Sequence, residues 1–266
     1  MIKLVTKFFS LFIDKSEITW QNLKKVDKKL LKGNSSILKE YKSSLPPLND
    51  FQKQALIGLM LGDLNLKKTG LTYCIRFEYS FHSSEYVYHL QSLFKYYILQ
   101  DPKKVERTIS LFNKNSPQSK PSLKSYNTVT LRFHSISLNL FDFLVDLFIR
   151  DGKKTIPVNL IKDHLTPVGL AYWFLDDGGK LDYGSNEGKG IVFNTQGFSF
   201  EECEQMSLEL KEKFGFNSWV GLNKNKPVIK ISGADFEKFV ALGRPFLIPS
   251  LLSKLPSPRK TTDTLN

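Results

Sequence analysis

The chain is 266 residues long, 41% hydrophobic and 24% charged, enough apolar material for one large domain or two small ones and too much for a disordered chain. Lysine plus arginine number 38 against 26 acidic residues, a formal charge of +12. A surplus of that size repels itself in a compact state and points to a polyanionic partner.

Two cysteines and four scattered histidines (His82, His89, His134, His164) form no cluster, which excludes a disulfide framework and a structural zinc site. The longest apolar run, Leu56–Gly62, is far short of the about 20 residues that cross a bilayer, so no membrane partner is expected. Met1–Ile13 is apolar like a signal core, yet it lacks a cleavage site, and it carries no arginine as a transit peptide should.

Residues 1–45 read as a basic N-terminal arm, and the folded body starts near Pro46-Pro47. A helix over Phe51–Gly62 follows an Asn49 or Asp50 cap. Thr72–Ser80 is rich in β-favouring aromatics and reads as extended. Ser84–Leu99 reads as a helix. Extended runs at Lys104–Phe112 and Tyr126–His134 flank a polar loop, Asn113–Ser125, and a helix over Leu138–Ile149 closes the first half. In the second half Thr166-Pro167 caps a helix reaching Asp176 or Asp177. Strands follow at Lys180–Tyr183 and Gly190–Gln196, and Ser199–Glu202 is a capping box for a helix to Phe214. A hairpin pairs Asn217–Leu222 with Val228–Ser232 through a turn at Asn223–Pro227, and helical pieces at Ala234–Leu242 and Ile248–Ser253 end the series. The order αββαββα thus occurs twice, the mark of a duplication. Its units are 46–158 and 159–258, with a tail at 259–266, and the fold class is α/β (α+β).

The opening helix of each repeat is apolar almost all round and ends in an aspartate: Leu56–Asp63 in the first, Leu170–Asp177 in the second. Helices of that kind are buried. An aspartate at a helix C-terminus opposes the dipole, and the same placement in both repeats calls for a reason. If the two helices pack as a pair about a pseudo-dyad, both carboxylates reach one place, where they repel unless a cation lies between them. Hard oxygen ligands favour Mg²⁺ or a similar divalent ion such as Mn²⁺. Gly58 and Gly62, at GxxxG spacing, read as close packing of soluble helices, and Gly184–Lys189 reads as a turn and not a phosphate loop.

With these motifs the chain resembles the single-chain, two-motif LAGLIDADG homing endonucleases encoded by mitochondrial introns. The likeness runs from about Ser35–Lys42 to Lys254-Leu-Pro256 and is densest at Lys153–Pro157, Leu165–Pro167, Leu170–Lys180 and Asn223–Pro227. The resemblance implies two pseudo-symmetric repeats with sheets forming a DNA-binding saddle. It makes Asp63 and Asp177 the catalytic, metal-binding pair and leaves out Asp176, which points elsewhere on its helix. It assigns Lys154, with Lys153 as the other choice, and Lys254 as the basic residues of the site. Glu78, and Asn194 or Gln196, are candidates to hold the catalytic water. Tyr172-Trp173-Phe174 departs from the family's small residues, which let the helices approach closely.

Polar side chains that alternate along strands suit the major groove, where each base pair shows its own donor and acceptor pattern. Candidate DNA-binding residues are Asn65, Lys67, Arg76, Glu78, Lys180, Asp182, Asn194, Gln196, Asn223, Asn225 and Lys230. The implied activity is metal-dependent cleavage of double-stranded DNA at a long asymmetric site by a monomer needing no protein partner. The alternatives are an RNA-binding intron maturase and a DNA-binding relative without catalysis, the latter disfavoured by retention of both aspartates and both lysines.

Overall fold

Asn49 accepts the N–H of Gln52 at 2.8 Å while the Gln52 side chain accepts the N–H of Asn49 at 3.1 Å, and this reciprocal cap launches the first of the two acidic helices. The computed structural model describes residues 35–112, 123–181 and 190–256. The arm before Ser35, most of the polar loop, Asp182 with the rest of its strand, the Gly184–Lys189 turn and the C-terminal tail lie outside the described residues.

The elements in chain order are α1 (Ser36–Ser44), α2 (Asp50–Leu61), β1 (Asn65–Thr69), β2 (Thr72–Ser80), α3 (Ser84–Leu93), β3 (Lys103–Phe112), β4 (Leu123–His134), α4 (Asp142–Phe148), β5 (Ile149–Arg150), β6 (Lys153–Lys154), α5 (Pro167–Asp177), β7 (Gly178–Lys180), β8 (Ile191–Phe193), α6 (Phe200–Phe214), β9 (Ser218–Asn223), β10 (Lys226–Ile231) and α7 (Phe236–Gly243). The duplicated order is therefore present. It extends to topology, because the four-stranded antiparallel sheets run β1-β2-β4-β3 and β7-β8-β10-β9.

The described chain forms two compact units. One ends at Pro47 and resumes over Lys67–Asn139; the other joins Leu48–Leu66 to the chain from Leu140 onward. In the first, β2 alternates buried Ile75, Phe77 and Tyr79 with more open Arg76 and Glu78, as a sheet packed on one face should. Phe77 stacks on Phe133 at 4.5 Å and on Phe94 at 6.0 Å. Two expectations change here. Ser36–Ser44, read as arm, is a helix whose Leu38 and Tyr41 are buried. And α3 stops at Leu93, where the bonding tightens from four-residue to three-residue spacing: Lys95 N–H donates to the Ser92 carbonyl at 3.4 Å and Tyr97 N–H to that of Phe94 at 2.9 Å.

In the second unit α2 and α5 pack on each other where both carry glycine. A Cβ on Gly58 would fall 2.0 Å from the Gly169 carbonyl oxygen. The Thr166 hydroxyl, which accepts the Gly169 N–H at 3.5 Å, also donates to Gln54 at 2.9 Å. The bulky triplet does not stand in this seam as expected. Trp173 stacks on Phe193 of β8 at 4.1 Å and Phe174 meets Phe239 of α7 edge-on at 5.1 Å. Only Tyr172 turns toward α2, against Phe51 at 5.9 Å. Close approach thus comes from Gly58 and Gly169, while the aromatics build the core of their own repeat.

The helix expected over Leu138–Ile149 is a 3₁₀ turn (Asn139–Phe141) followed by short α4, and Ile149 already pairs with Lys154 in a small hairpin. Asp151 and Gly152, both at positive φ (51° and 74°), make its two-residue turn. The second hairpin is also tighter than expected: Asn223 pairs with Lys226 around Lys224 and Asn225, at φ 51° and 62°. Around the join of the repeats, buried Glu209 accepts the N–H groups of Asn159 (2.7 Å), Ile161 (2.7 Å) and Lys162 (3.1 Å), and Glu202 accepts that of Ile156 at 2.8 Å. Two carboxylates of α6 thereby fix the segment that follows Lys154. Cys74 and Cys203 are free and buried, and among the described residues no helix is long and apolar enough to cross a membrane.

Candidate active site

The C-terminal ends of α2 and α5, both in the second unit, open on a cleft of about 240 Å³ lined by Asp63, Asp177, Lys154, Asn194, Gln196 and Phe198, with Leu61, Gly62 and Gly197. Each acidic helix delivers its last carboxylate there. Desolvation by the surrounding protein raises the Asp177 carboxyl, with repulsion from Asp63 and Asp176 adding to it; against the pull of Lys154 and Lys254 it is pushed up to about 7. Asp63 stands open at the mouth of the cleft, yet the protein beneath it desolvates its carboxyl and raises it, opposed by the same two lysines.

The lysines stop the helices. Lys154 donates to the Gly62 carbonyl at 2.6 Å, and Lys254 donates to those of Leu175 (2.5 Å) and Asp176 (3.1 Å). A cation on the last carbonyls of a helix satisfies unpaired acceptors and complements the dipole. Burial lowers both ammonium groups, while Asp176, Asp177 and Asp63 pull them back up. Lys154 also lies over the Phe198 ring at 5.4 Å. Lys153 precedes it on β6 and is exposed, since successive strand residues face opposite ways.

Asn194, the residue after β8, closes the cleft. Its N–H (2.9 Å) and side-chain amide (3.0 Å) both donate to the Asp177 carbonyl, and Gln196 donates to the Asn194 side chain at 3.3 Å. Asp176, set aside in the sequence reading, turns to the other motif helix: its Oδ2 accepts the Asp63 N–H at 2.8 Å. The sequence carries one trace of that contact, glycine at position 62 where the second repeat has aspartate.

Glu78 does not line the cleft. It sits on the open face of the first unit's sheet and binds Arg107 at 2.5 Å, Arg132 through Nε (2.8 Å) and Nη2 (2.7 Å), and Arg76 at 3.5 Å, with Thr130 donating at 2.9 Å. Burial would raise its carboxyl, but the Arg107, Thr130 and Arg132 hydrogen bonds outweigh that and bring it to about 2. The register places Lys103 and Arg132 opposite one another, and Arg76 opposite His134, so this face is strongly basic. Arg107, Arg132 and Lys103 were missed in the sequence, although the alternation of β3 and β4 carries them. Asn65, Lys67, Lys180, Asn223 and Asn225 are exposed, and Lys230 is half-buried beside Gly221.

The LAGLIDADG DNA endonuclease family profile matches residues 53–239. The chain is 35% identical over 234 residues to the probable intron-encoded endonuclease 1 of Wickerhamomyces canadensis, covering 86% of this chain and 96% of that one. It superposes with a TM-score of 0.76 and 33% identity on the homing endonuclease I-WcaI bound to its DNA recognition sequence, over 90% of this chain and 98% of that one. It is also 27% identical over 242 residues to the cytochrome b mRNA maturase bI2 of Saccharomyces cerevisiae, 86% of this chain and 53% of that protein. On the extent of the family match and this identity, the chain belongs to the LAGLIDADG DNA endonuclease family.

Proposed function

We propose that the chain is a homing endonuclease encoded by a mitochondrial intron, which hydrolyses both strands of a long, asymmetric DNA site as a monomer. The observation that carries this is the convergence of Asp63, Asp177 and Lys154 on one polar cleft, with Lys254 at the adjoining helix end. In this reading the two repeats are residues 46–158 and 159–258, each contributing one carboxylate and one lysine.

The donor set fits a divalent ion, Mg²⁺ by preference. Both aspartates are raised from their ordinary value, chiefly by burial, and Asp177 in part by Asp63 itself, a repulsion that a shared cation relieves. Among the described residues no group of three or more His, Cys, Asp or Glu is placed to hold a metal. That suits Mg²⁺, which is usually held by one or two carboxylates with water and substrate phosphates completing the shell. Asp63 and Asp177 would hold it, and when bound it supplies charge relief at the phosphate and an activated water.

The protein's own groups do the rest. Lys154 and Lys254 bring positive charge to the oxygens that become more negative as the phosphodiester opens. Asn194 holds the Asp177 backbone, and Gln196 presents a polar side chain to the cleft where a water is to be ordered. The basic outer faces of the strands, with Asn65, Lys67, Arg76, Lys180, Asn223, Asn225 and Lys230, are the surface offered to DNA.

The test is incubation with DNA spanning the intron-lacking form of the host gene, with and without Mg²⁺. A double-strand break at one position, dependent on the ion, is expected; no break in that DNA would refute the reading. Similarity to a protein named a maturase favours one second reading, RNA binding in aid of splicing. It is checked by adding the host intron RNA to the same preparation and following splicing.

A further inference from the structure

Beyond its C-cap, α2 leaves one backbone donor without a helical acceptor. The Leu59 carbonyl, which the Asp63 N–H would reach in a continued helix, already accepts Gly62 N–H at 3.0 Å and Leu64 N–H at 3.1 Å. The acceptor comes instead from the other motif helix, as Asp176 Oδ2 at 2.8 Å. The fit leaves no spare room: a Cβ built on Gly62 would lie 2.5 Å from that oxygen and 2.6 Å from the Asp176 Cβ. The Asp176 side chain occupies the volume that a side chain at position 62 would need.

We propose that Asp176 is a positioning residue, whose carboxylate clamps the Asp63 peptide and so fixes the direction from which the Asp63 side chain enters the cleft. This rests on the reading of Asp63 as a catalytic ligand. The clamp is itself held. Lys254 binds the Asp176 carbonyl at 3.1 Å and that of Leu175 at 2.5 Å, while Asn194 binds the next carbonyl, that of Asp177, through two donors at 2.9 and 3.0 Å. The carboxylate therefore projects from an immobilised backbone. The duplication cannot be symmetric at this point, because position 62 must be glycine for position 176 to carry a side chain that reaches across.

Hydrogen exchange of the Asp63 amide in DNA-free protein, read together with single-turnover cleavage, tests the clamp in D176A and D176N. Asparagine keeps an acceptor oxygen in nearly the same shape, and alanine removes it. In D176A the Asp63 amide should exchange about tenfold faster or more, and cleavage should slow by about 10²-fold, the scale of a misplaced catalytic group, with DNA affinity retained. D176N should keep the amide protected and slow cleavage far less. Unchanged Asp63 exchange in D176A would overturn the proposal, and so would faster exchange with unchanged cleavage. D176N as slow as D177N, with the amide still protected, would mean that Asp176 acts through its charge and would also overturn it. The exchange measurement needs neither DNA nor metal, so a parent protein that cuts nothing refutes the nuclease reading while exchange still decides the clamp.

Discussion

Asp177 carries the most perturbed chemistry of the cleft, and its protonation links activity to stability. Its ordinary value is 3.8 and the folded value about 7. Between those limits the unfolded chain ionises while the folded one keeps its proton, so rising pH costs stability through this window and the whole cost is present above it. Burial is the main cause; Asp63 and Asp176 add to it, and Lys154 and Lys254 oppose it. D177N removes the titrating group. Without divalent ions its melting temperature should exceed the parent's at pH 8, and the two should converge toward pH 4; an offset independent of pH would contradict this. Both D177N and D63N should bind DNA and fail to cut it, as a gel-shift and a cleavage assay would read in parallel. Lys154→Met and Lys254→Met should each slow cleavage by about 10²-fold or more. Proportionate loss of DNA affinity would instead make these lysines simple phosphate contacts. Glu78 belongs to a different chemistry. It gathers Arg76, Arg107 and Arg132, so Glu78→Ala should free three cations, strengthen non-specific binding and lower the specific-to-non-specific ratio by about tenfold, the value of one well-made base contact. A competition titration against random DNA measures that ratio, and an unchanged ratio would remove Glu78 from recognition.

At the level of elements, the seam between α2 and α5 is set by backbone approach at Gly58 and Gly169. Gly58→Ala forces a methyl onto the Gly169 carbonyl and should destabilise the protein by about 1–3 kcal/mol, the usual cost of overpacking. A lowered urea midpoint with an unchanged slope would register it, whereas a parent-like midpoint would show that the helices have slack. These two helices were legible in the sequence because strong caps, Asn49 and Thr166, precede long apolar runs that each end in aspartate. The direction in which Trp173 and Phe174 point was not legible, because a helix buried on all sides has no periodicity to orient it. The small hairpin at Asp151-Gly152 was missed for a different reason: its strands are two residues each, too short for alternation to register beside the helical run before them. Asp176 was read as pointing elsewhere on its helix, and what it meets, the Asp63 amide, is a contact between distant segments. Only the fold brings those together.

For the molecule as a whole, the charge of +12 is the property that DNA meets first. Binding should fall linearly with salt on logarithmic axes, with a slope of about −0.9 per phosphate neutralised. Sedimentation of the complex should give one protein per duplex. A shallow salt dependence or a two-protein complex would count against a single chain spanning a long site. Composition and charge gave the partner's polarity directly, and the repeated element order gave the architecture. The division into units was hidden, because α2 is sequential with β1 and β2 but packs with α5. That arrangement has a kinetic consequence. Between Asp63 and Asp177 the chain leaves one unit, builds another over Lys67–Asn139, and returns. The cleft therefore depends on closing a long loop, whose entropy must be lost before any contact across it repays the cost. Local hairpins and the first unit's sheet are free to form early, while the pairing of the two carboxylates waits for the return of the chain. A refolding experiment should see secondary structure recover before cleavage does, and the newly made protein should hold no competent nuclease until that last closure.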